Sequence, residues 1–185
     1  MVEKRRCRWV NLSNPVYVRY HDEEWGQPVH DDRKLFEMLL LESFQAGLSW
    51  ECILNKRGNF RRAFCDFDAA KVAAFNETDV ARLMNDAGIV RHRRKIEAAV
   101  SNSRVFLQIQ AECGSFNAYI WHFTNGQTLT EPYYEHTKSA LSDAVAKDLK
   151  RRGMRFFGST TAYSFLQAVG IINGHGSECW LSREK

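Results

Sequence analysis

Two pairs of metal-ligating residues bracket this chain, and they restrict its fold more than any other feature. Cys7 and His21 lie near its start, His175 and Cys179 near its end. Zinc takes four nitrogen or sulfur ligands in a tetrahedron, and a Cys₂His₂ set drawn from both ends would close the chain into a ring. His175 and Cys179 have the four-residue offset that brings two side chains to one point. Gly174 and Gly176 let the backbone bend there. The other reading is of unrelated thiols and ordinary histidines. If the four do meet, they fill the coordination sphere of one Zn²⁺ and leave no open position for an activated water. Such a metal fastens the chain and does no chemistry.

At 185 residues and 44% hydrophobic content, the chain can bury one core, with room for two small lobes around it. Five cysteines without regular spacing do not make a disulfide framework. The basic N-terminus lacks the apolar segment of a secretory signal, and the run Met38 to Leu41 is far too short to span a bilayer. The expectation is a cytoplasmic, monomeric protein without a membrane partner. Arg91-His-Arg-Arg-Lys95, Lys150-Arg-Arg-Gly-Met-Arg155 and Lys4 to Arg8 are basic clusters within a modest net charge of +4. Such clusters bind phosphate only if they converge in space; otherwise they are solvated helix faces.

The pattern is helical almost throughout, which makes the class all-α. Asn14-Pro15 opens a short helix through Tyr17, Tyr20 and His21. Asp31 or Asp32 caps the next, with Leu35, Phe36, Leu39, Leu40 and Ser43 on one face, and Gly47 stops it. Ser49 caps a third. Asp68 and Thr78 open two more, the second ending at Gly88. A long basic helix follows with Ile96, Ala99, Val100, Ser103 and Phe106 at helical spacing. Further helices are expected at about 115–124, 138–152 and 159–172, with some extended structure between Gly126 and Pro132.

Two segments carry chemistry. The turn Ala87-Gly88-Ile89 leads into the basic helix at Arg91. A glycine turn before a helix can aim backbone N–H groups at a phosphate, and Arg91, Arg93, Arg94 and Lys95 surround this one. An ordinary αα-turn is the plainer alternative. In the second segment, Glu42 follows the apolar run Met38–Leu41. An acid there is either the exposed edge of an amphipathic helix or a buried group that needs a partner or a ligand. Trp50 lies beyond the break at Gly47, and Trp9, Tyr20 and Trp25 cluster near the start. Aromatics at such spacing are usually core. Combined with an acid, they also suit a pocket for a cationic planar ring.

With these residues in view, the chain resembles the DNA-3-methyladenine glycosylase I family of the helix-hairpin-helix glycosylase superfamily. The resemblance covers nearly the whole length. It rests on Cys7-Arg-Trp9, Tyr20-His-Asp-Glu-Glu-Trp25-Gly26, Lys34 to Met38, Leu41-Glu42, Gln45-Ala-Gly-Leu-Ser-Trp50, Asp86 to Arg93, and Phe157-Gly158 leading to Tyr163-Ser-Phe-Leu-Gln167. It implies an all-α fold with the hairpin at Ala87 to Arg91 and one structural zinc on Cys7, His21, His175 and Cys179. It also implies a base-binding acid at Glu42, pocket aromatics at Trp9, Tyr20, Trp25 and Trp50, and a DNA-wedging loop at Ala46-Gly47-Leu48, with Leu48 filling the gap in the base stack. DNA contacts fall on Gly47, Leu48, Gly88, Arg91, Arg93, Arg94 and Lys95. The implied substrate is double-stranded DNA containing 3-methyladenine, hydrolysed to free base and an abasic site. Phe44, in place of a polar residue, and Arg94, in place of glycine, depart from the family and bear on DNA contacts.

The superfamily's usual Asp after the hairpin is missing; Lys95 to Glu112 offers only Glu97 and Glu112. The resemblance accounts for this, because an adenine methylated at N3 is already cationic and leaves readily. A zinc hydrolase or deaminase would need an open site and a His-x-Glu plus Cys-x-x-Cys combination, or His-Glu-x-x-His, and neither is present. A damage sensor that binds alkylated bases without cutting is the remaining competitor.

Overall fold

The computed structural model describes residues 4–182. Its helices are α1 (Pro15–Glu23), α2 (Asp32–Gln45), α3 (Trp50–Ala63), α4 (Ala69–Ala73), α5 (Glu77–Met84), α6 (Arg93–Cys113), α7 (Phe116–His122), α8 (Ala140–Arg151) and α9 (Ser159–Ala168). A 3₁₀ turn at Cys65–Phe67 joins α3 to α4. Two short strands, β1 (Leu129–Thr130) and β2 (Ile172–Asn173), pair in parallel. Among the described residues, no helix is long and apolar enough to cross a membrane.

Helix α2 is the centre of the molecule. It packs against α3, α6, α7 and α9, and every residue from Leu35 to Phe44 is buried. A helix enclosed on all sides loses its amphipathic stripe, so the periodicity that suggested a polar edge at Glu42 was misleading. Two of its buried residues are acids, Glu37 and Glu42. Asp31 caps its start through the Lys34 amide. Asp32 serves a different helix: its carboxylate accepts from the Phe116 and Asn117 amides at 2.8 and 2.7 Å, capping α7.

Most other caps stand where the sequence places them. Asn14 caps α1, Ser49 α3 and Asp68 α4. The exceptions are informative. α5 starts from Asn76 in a capping box with Asp79, not from Thr78. α6 starts at Arg93 with the His92 ring accepting from the Lys95 amide, so Arg91 lies in the loop before it. α9 ends at Ala168 rather than 172, because Gly170 turns the chain at φ +72° and Ile172 enters β2. Beyond the strands the ladder continues, with Glu131 and Tyr133 amides donating to Asn173 and Gly174 carbonyls. This pairing leads the segment after β1 along the stretch that carries His175.

Candidate functional site

Helices α1, α2, α3 and α9 surround a cavity of about 330 Å³. Trp9, Tyr20, Trp25, Glu42 and Trp50 all line it, joined by Tyr17, Gln45, Tyr133, His136, Thr137 and four residues of α9. The aromatic groups support one another. Trp9 meets Trp25 edge-on with centroids 4.8 Å apart, and Tyr20 lies 5.3 Å from Trp50. Tyr20 reaches the cavity because α1 is short. The Glu24 and Trp25 amides both close on the Tyr20 carbonyl, turning Trp25 back beside it.

The acids of α2 separate structure from function. Glu37 is 2% exposed and meets Arg57 at 2.8 Å, Arg61 at 3.1 Å and Lys34 at 3.2 Å. Burial acts to raise its carboxyl, but the Arg57 and Lys34 charges outweigh burial and hold it below the usual range. Glu42, five residues on and 3% exposed, has no such company. Its Oε2 has no hydrogen-bond partner, and burial alone pushes its carboxyl up to about 8. A buried acid facing a cavity without a partner is the signature of a group awaiting a ligand. Burial, with the Glu42 charge next, also holds the Tyr20 hydroxyl well above its ordinary value, so it keeps its proton. The Trp9 and Trp50 indole N–H groups are unpartnered as well.

Behind the Trp25 wall lie Cys7, His21, His175 and Cys179, all buried, with one ligand atom from each within 4.8 Å of the others. His175 Nδ1 stands 3.6 Å from Cys7 Sγ and 3.4 Å from Cys179 Sγ, and His21 Nε2 stands 3.5 Å from Cys179 Sγ. Tetrahedral zinc at ordinary bond lengths separates its sulfur and nitrogen ligands by about 3.5 Å, so the donor set fits that ion. The far nitrogens are committed too. His21 Nδ1 meets Asp22 at 2.8 Å and His175 Nε2 the Trp25 carbonyl at 3.2 Å, which turns the other nitrogen of each ring inward. Gly26 makes this approach possible: at φ +75°, a Cβ there would stand 3.2 Å from the His175 ring. The rings of Trp25 and His175 are 4.7 Å apart, so the four-residue Cys/His cluster and the cavity share a wall.

Between the cavity residues Gln45 and Trp50, Gly47 takes φ +80° and Leu48 is 40% exposed. The loop is held by Lys95, whose ammonium donates to the Phe44 and Ala46 carbonyls at 2.8 and 2.5 Å. This corrects the expectation for Lys95: it is 7% exposed and anchors the loop instead of reaching a phosphate. Gly88 is also changed. Its amide is taken by the Asp86 carboxylate at 2.7 Å, and a Cβ there would stand 2.9 Å from Asn59, so its service is a tight turn and not an outward N–H. Arg91, Arg93 and Arg94 are exposed, Arg93 pairing with Glu77 and Glu97. Phe44 is wholly buried against Phe60 and Phe64, so its departure from the family belongs to the core and not to a DNA contact. The sequence alone assigned no role to Tyr163 and Gln167, both in the cavity wall; the available signal was a polar stripe at helical spacing that they form with Thr160 and Ser164.

Comparison with known proteins identifies the family. The family model for methyladenine glycosylase matches residues 9–182. DNA-3-methyladenine glycosylase 1 of Escherichia coli is 48% identical, the match covering 94% of this chain and 95% of that one. The DNA-3-methyladenine glycosylase of Haemophilus influenzae is 41% identical over 94% and 96%. A crystal structure of 3-methyladenine DNA glycosylase I superposes with a TM-score of 0.92 at 46% identity, covering 96% of this chain and 99% of that one. The Staphylococcus aureus enzyme, solved for its recognition of 3-methyladenine, gives 0.87 at 40% identity over 90% of each chain. With family model, relatives and structures agreeing over almost its full length, the chain belongs to the methyladenine glycosylase family.

Proposed function

We propose that this protein excises 3-methyladenine from alkylated DNA by hydrolysing the N-glycosidic bond, leaving an abasic site. The observation that carries the proposal is Glu42, buried and unpartnered in an aromatic cavity. A base cannot be reached within the stack, so the nucleotide is flipped into the cavity at a cost of a few kcal/mol. Leu48, exposed in the loop between the cavity residues Gln45 and Trp50, fills the vacated space. Adenine methylated at N3 is a cation. The cavity offers it the Glu42 carboxyl for its amino group and the Trp50 face for stacking, worth about 0.5–2 kcal/mol.

The chemistry needs little else. As the bond between C1′ and N9 breaks, its electron pair returns to the ring and neutralises the base. Water adds its oxygen to C1′ and loses a proton to solvent. Before a base enters, burial keeps the Glu42 carboxyl largely protonated at neutral pH. The cationic base favours its ionised form and pairs with it, an attraction a neutral purine does not supply, which favours the alkylated base.

The same reading gives Cys7, His21, His175 and Cys179 one Zn²⁺. Bound there, the ion would act as a cross-link behind Trp25, its four protein ligands completing the tetrahedron. It also makes α5, the turn through Gly88 and α6 the helix-hairpin-helix that follows the DNA backbone, with Arg91 and Arg94 free to meet phosphates. DNA treated with dimethyl sulfate tests the function. The expected product is free 3-methyladenine at one base per abasic site. Tight binding to that DNA with no base released would instead make the protein a damage sensor.

A further inference from the structure

The cavity has a polar wall of its own. Thr160, Tyr163, Ser164 and Gln167 recur at the spacing that places residues on one face of a helix, and all four line the cavity from α9. Their neighbours Ala162, Phe165, Leu166 and Ala168 point into the core. Tyr163 is 2% and Gln167 8% exposed, yet the Tyr163 hydroxyl and the Gln167 Nε2 have no hydrogen-bond partner. Buried donors of this kind are costly to leave unmade, and two on one face of one helix are arranged for something.

Gln167 is held in place on both sides. Its main-chain carbonyl accepts from the Gly26 amide at 3.0 Å. A Cβ on Gly174 would stand 2.7 Å from its Nε2 and 2.8 Å from the Trp25 ring, so glycine there keeps room for the amide beside Trp25. The Tyr163 hydroxyl stays protonated, because burial first and the nearby Glu131 carboxylate next push it up; neither the hydroxyl nor Glu131 Oε2 reaches a hydrogen-bond partner. Both groups are therefore available as donors.

Resting on the proposed function, we infer that Gln167 and Tyr163 form the edge-reading wall of the cavity, donating hydrogen bonds to the ring-nitrogen acceptors of the flipped base. With its amino group on Glu42, 3-methyladenine still carries lone pairs on N1 and N7, and both lose water on entry. A base stacked on Trp50 lies parallel to that indole, whose N–H then runs alongside the ring instead of toward its edge. In-plane donors must come from another wall, and α9 supplies them.

Calorimetric titration of free bases tests this. The bases are 3-methyladenine, 3-methyl-1-deazaadenine and 3-methyl-7-deazaadenine, each against the unaltered protein, Gln167→Met and Tyr163→Phe. The unaltered protein should bind at least one deaza base about tenfold more weakly than 3-methyladenine. Gln167→Met, Tyr163→Phe or both should lose about tenfold on 3-methyladenine and nothing on the deaza base lacking the acceptor that residue serves. If neither deaza replacement weakens binding to the unaltered protein, the inference is overturned without any variant. If both variants keep full affinity, or lose the same factor on all three bases, the wall is structural and the inference is again overturned. If the unaltered protein binds none of the bases, the functional reading falls as well.

Discussion

Glu42→Gln should stabilise this protein at alkaline pH while abolishing its use of the cavity. Burial raises the folded-state carboxyl from 4.5 to about 8. At about 1.4 kcal/mol per tenfold, that displacement corresponds to about 5 kcal/mol of disfavour for the ionised form, of which about 4 kcal/mol falls between pH 5 and pH 9. The sign follows from proton binding. Between the two values the folded state holds a proton that the unfolded state has released. Stability is therefore fully present below 4.5 and is lost as pH rises toward 8. Glutamine cannot titrate, so the variant lacks this loss. Every other group is common to both proteins, which makes the difference between them a measure of Glu42 alone. Thermal unfolding of both from pH 5 to pH 9 should show the variant gaining on the parent by about 10 °C across the range, at about 2–4 °C per kcal/mol for a chain of this size. A difference that stays flat with pH would refute the account, because Glu42 would then be solvated or paired. Base release by the variant should fall far more than its affinity for undamaged DNA.

Three other perturbations test separate parts. Cys179→Ser should remove the bound metal and, with zinc a thousandfold above its Kd, about 4 kcal/mol of stability; unchanged metal content by atomic absorption would show that the ligands are assigned wrongly. Lys95→Met should cost about 3 kcal/mol in urea unfolding yet leave the salt dependence of DNA binding alone, whereas Arg91→Ala should lower that slope by about one. A lowered slope for Lys95→Met would return it to the DNA interface. Gly170→Ala places a Cβ 2.3 Å from the Gln27 carbonyl carbon at φ +72°, and should cost about 3 kcal/mol or more. An unchanged melting temperature would mean that the turn relaxes freely.

Features visible in the sequence share one property: they are local. Caps at Asn14, Asp31, Ser49 and Asp68 act within one turn, so residue type and position suffice. The ladder of β1 and β2 was half visible, because Ile172 looks like the end of a helix until its partner Leu129, 43 positions earlier, is known. The two buried acids show the same limit. Glu37 and Glu42 sit on one enclosed helix, and nothing local says that Arg57 and Arg61 reach the first and nothing charged reaches the second. Lys95 follows the same limit: its basic neighbours are exposed, and only the meeting of α6 with the end of α2 turns it inward. The pocket aromatics and ligand residues were legible through resemblance, and the structure brings them together. Tyr163 and Gln167 fell among quoted motifs without a role, because helical spacing gives a face but not what the face looks onto.

The shared wall between Trp25 and His175 has a consequence in time. Cys7 and His175 are 168 positions apart, and His21 and Cys179 158 apart. At about 5–20 residues per second, a ribosome completes the second pair about ten to thirty seconds after the first. Until then Trp9, Tyr20 and Trp25 have no backing, and α9, which carries the polar wall, is made after every other helix described. The nascent chain can pair α2 with α3 and then α6, but the α9 face of α2 stays open and no cavity that grips a base can assemble. A partly synthesised chain is thereby kept from holding damaged DNA.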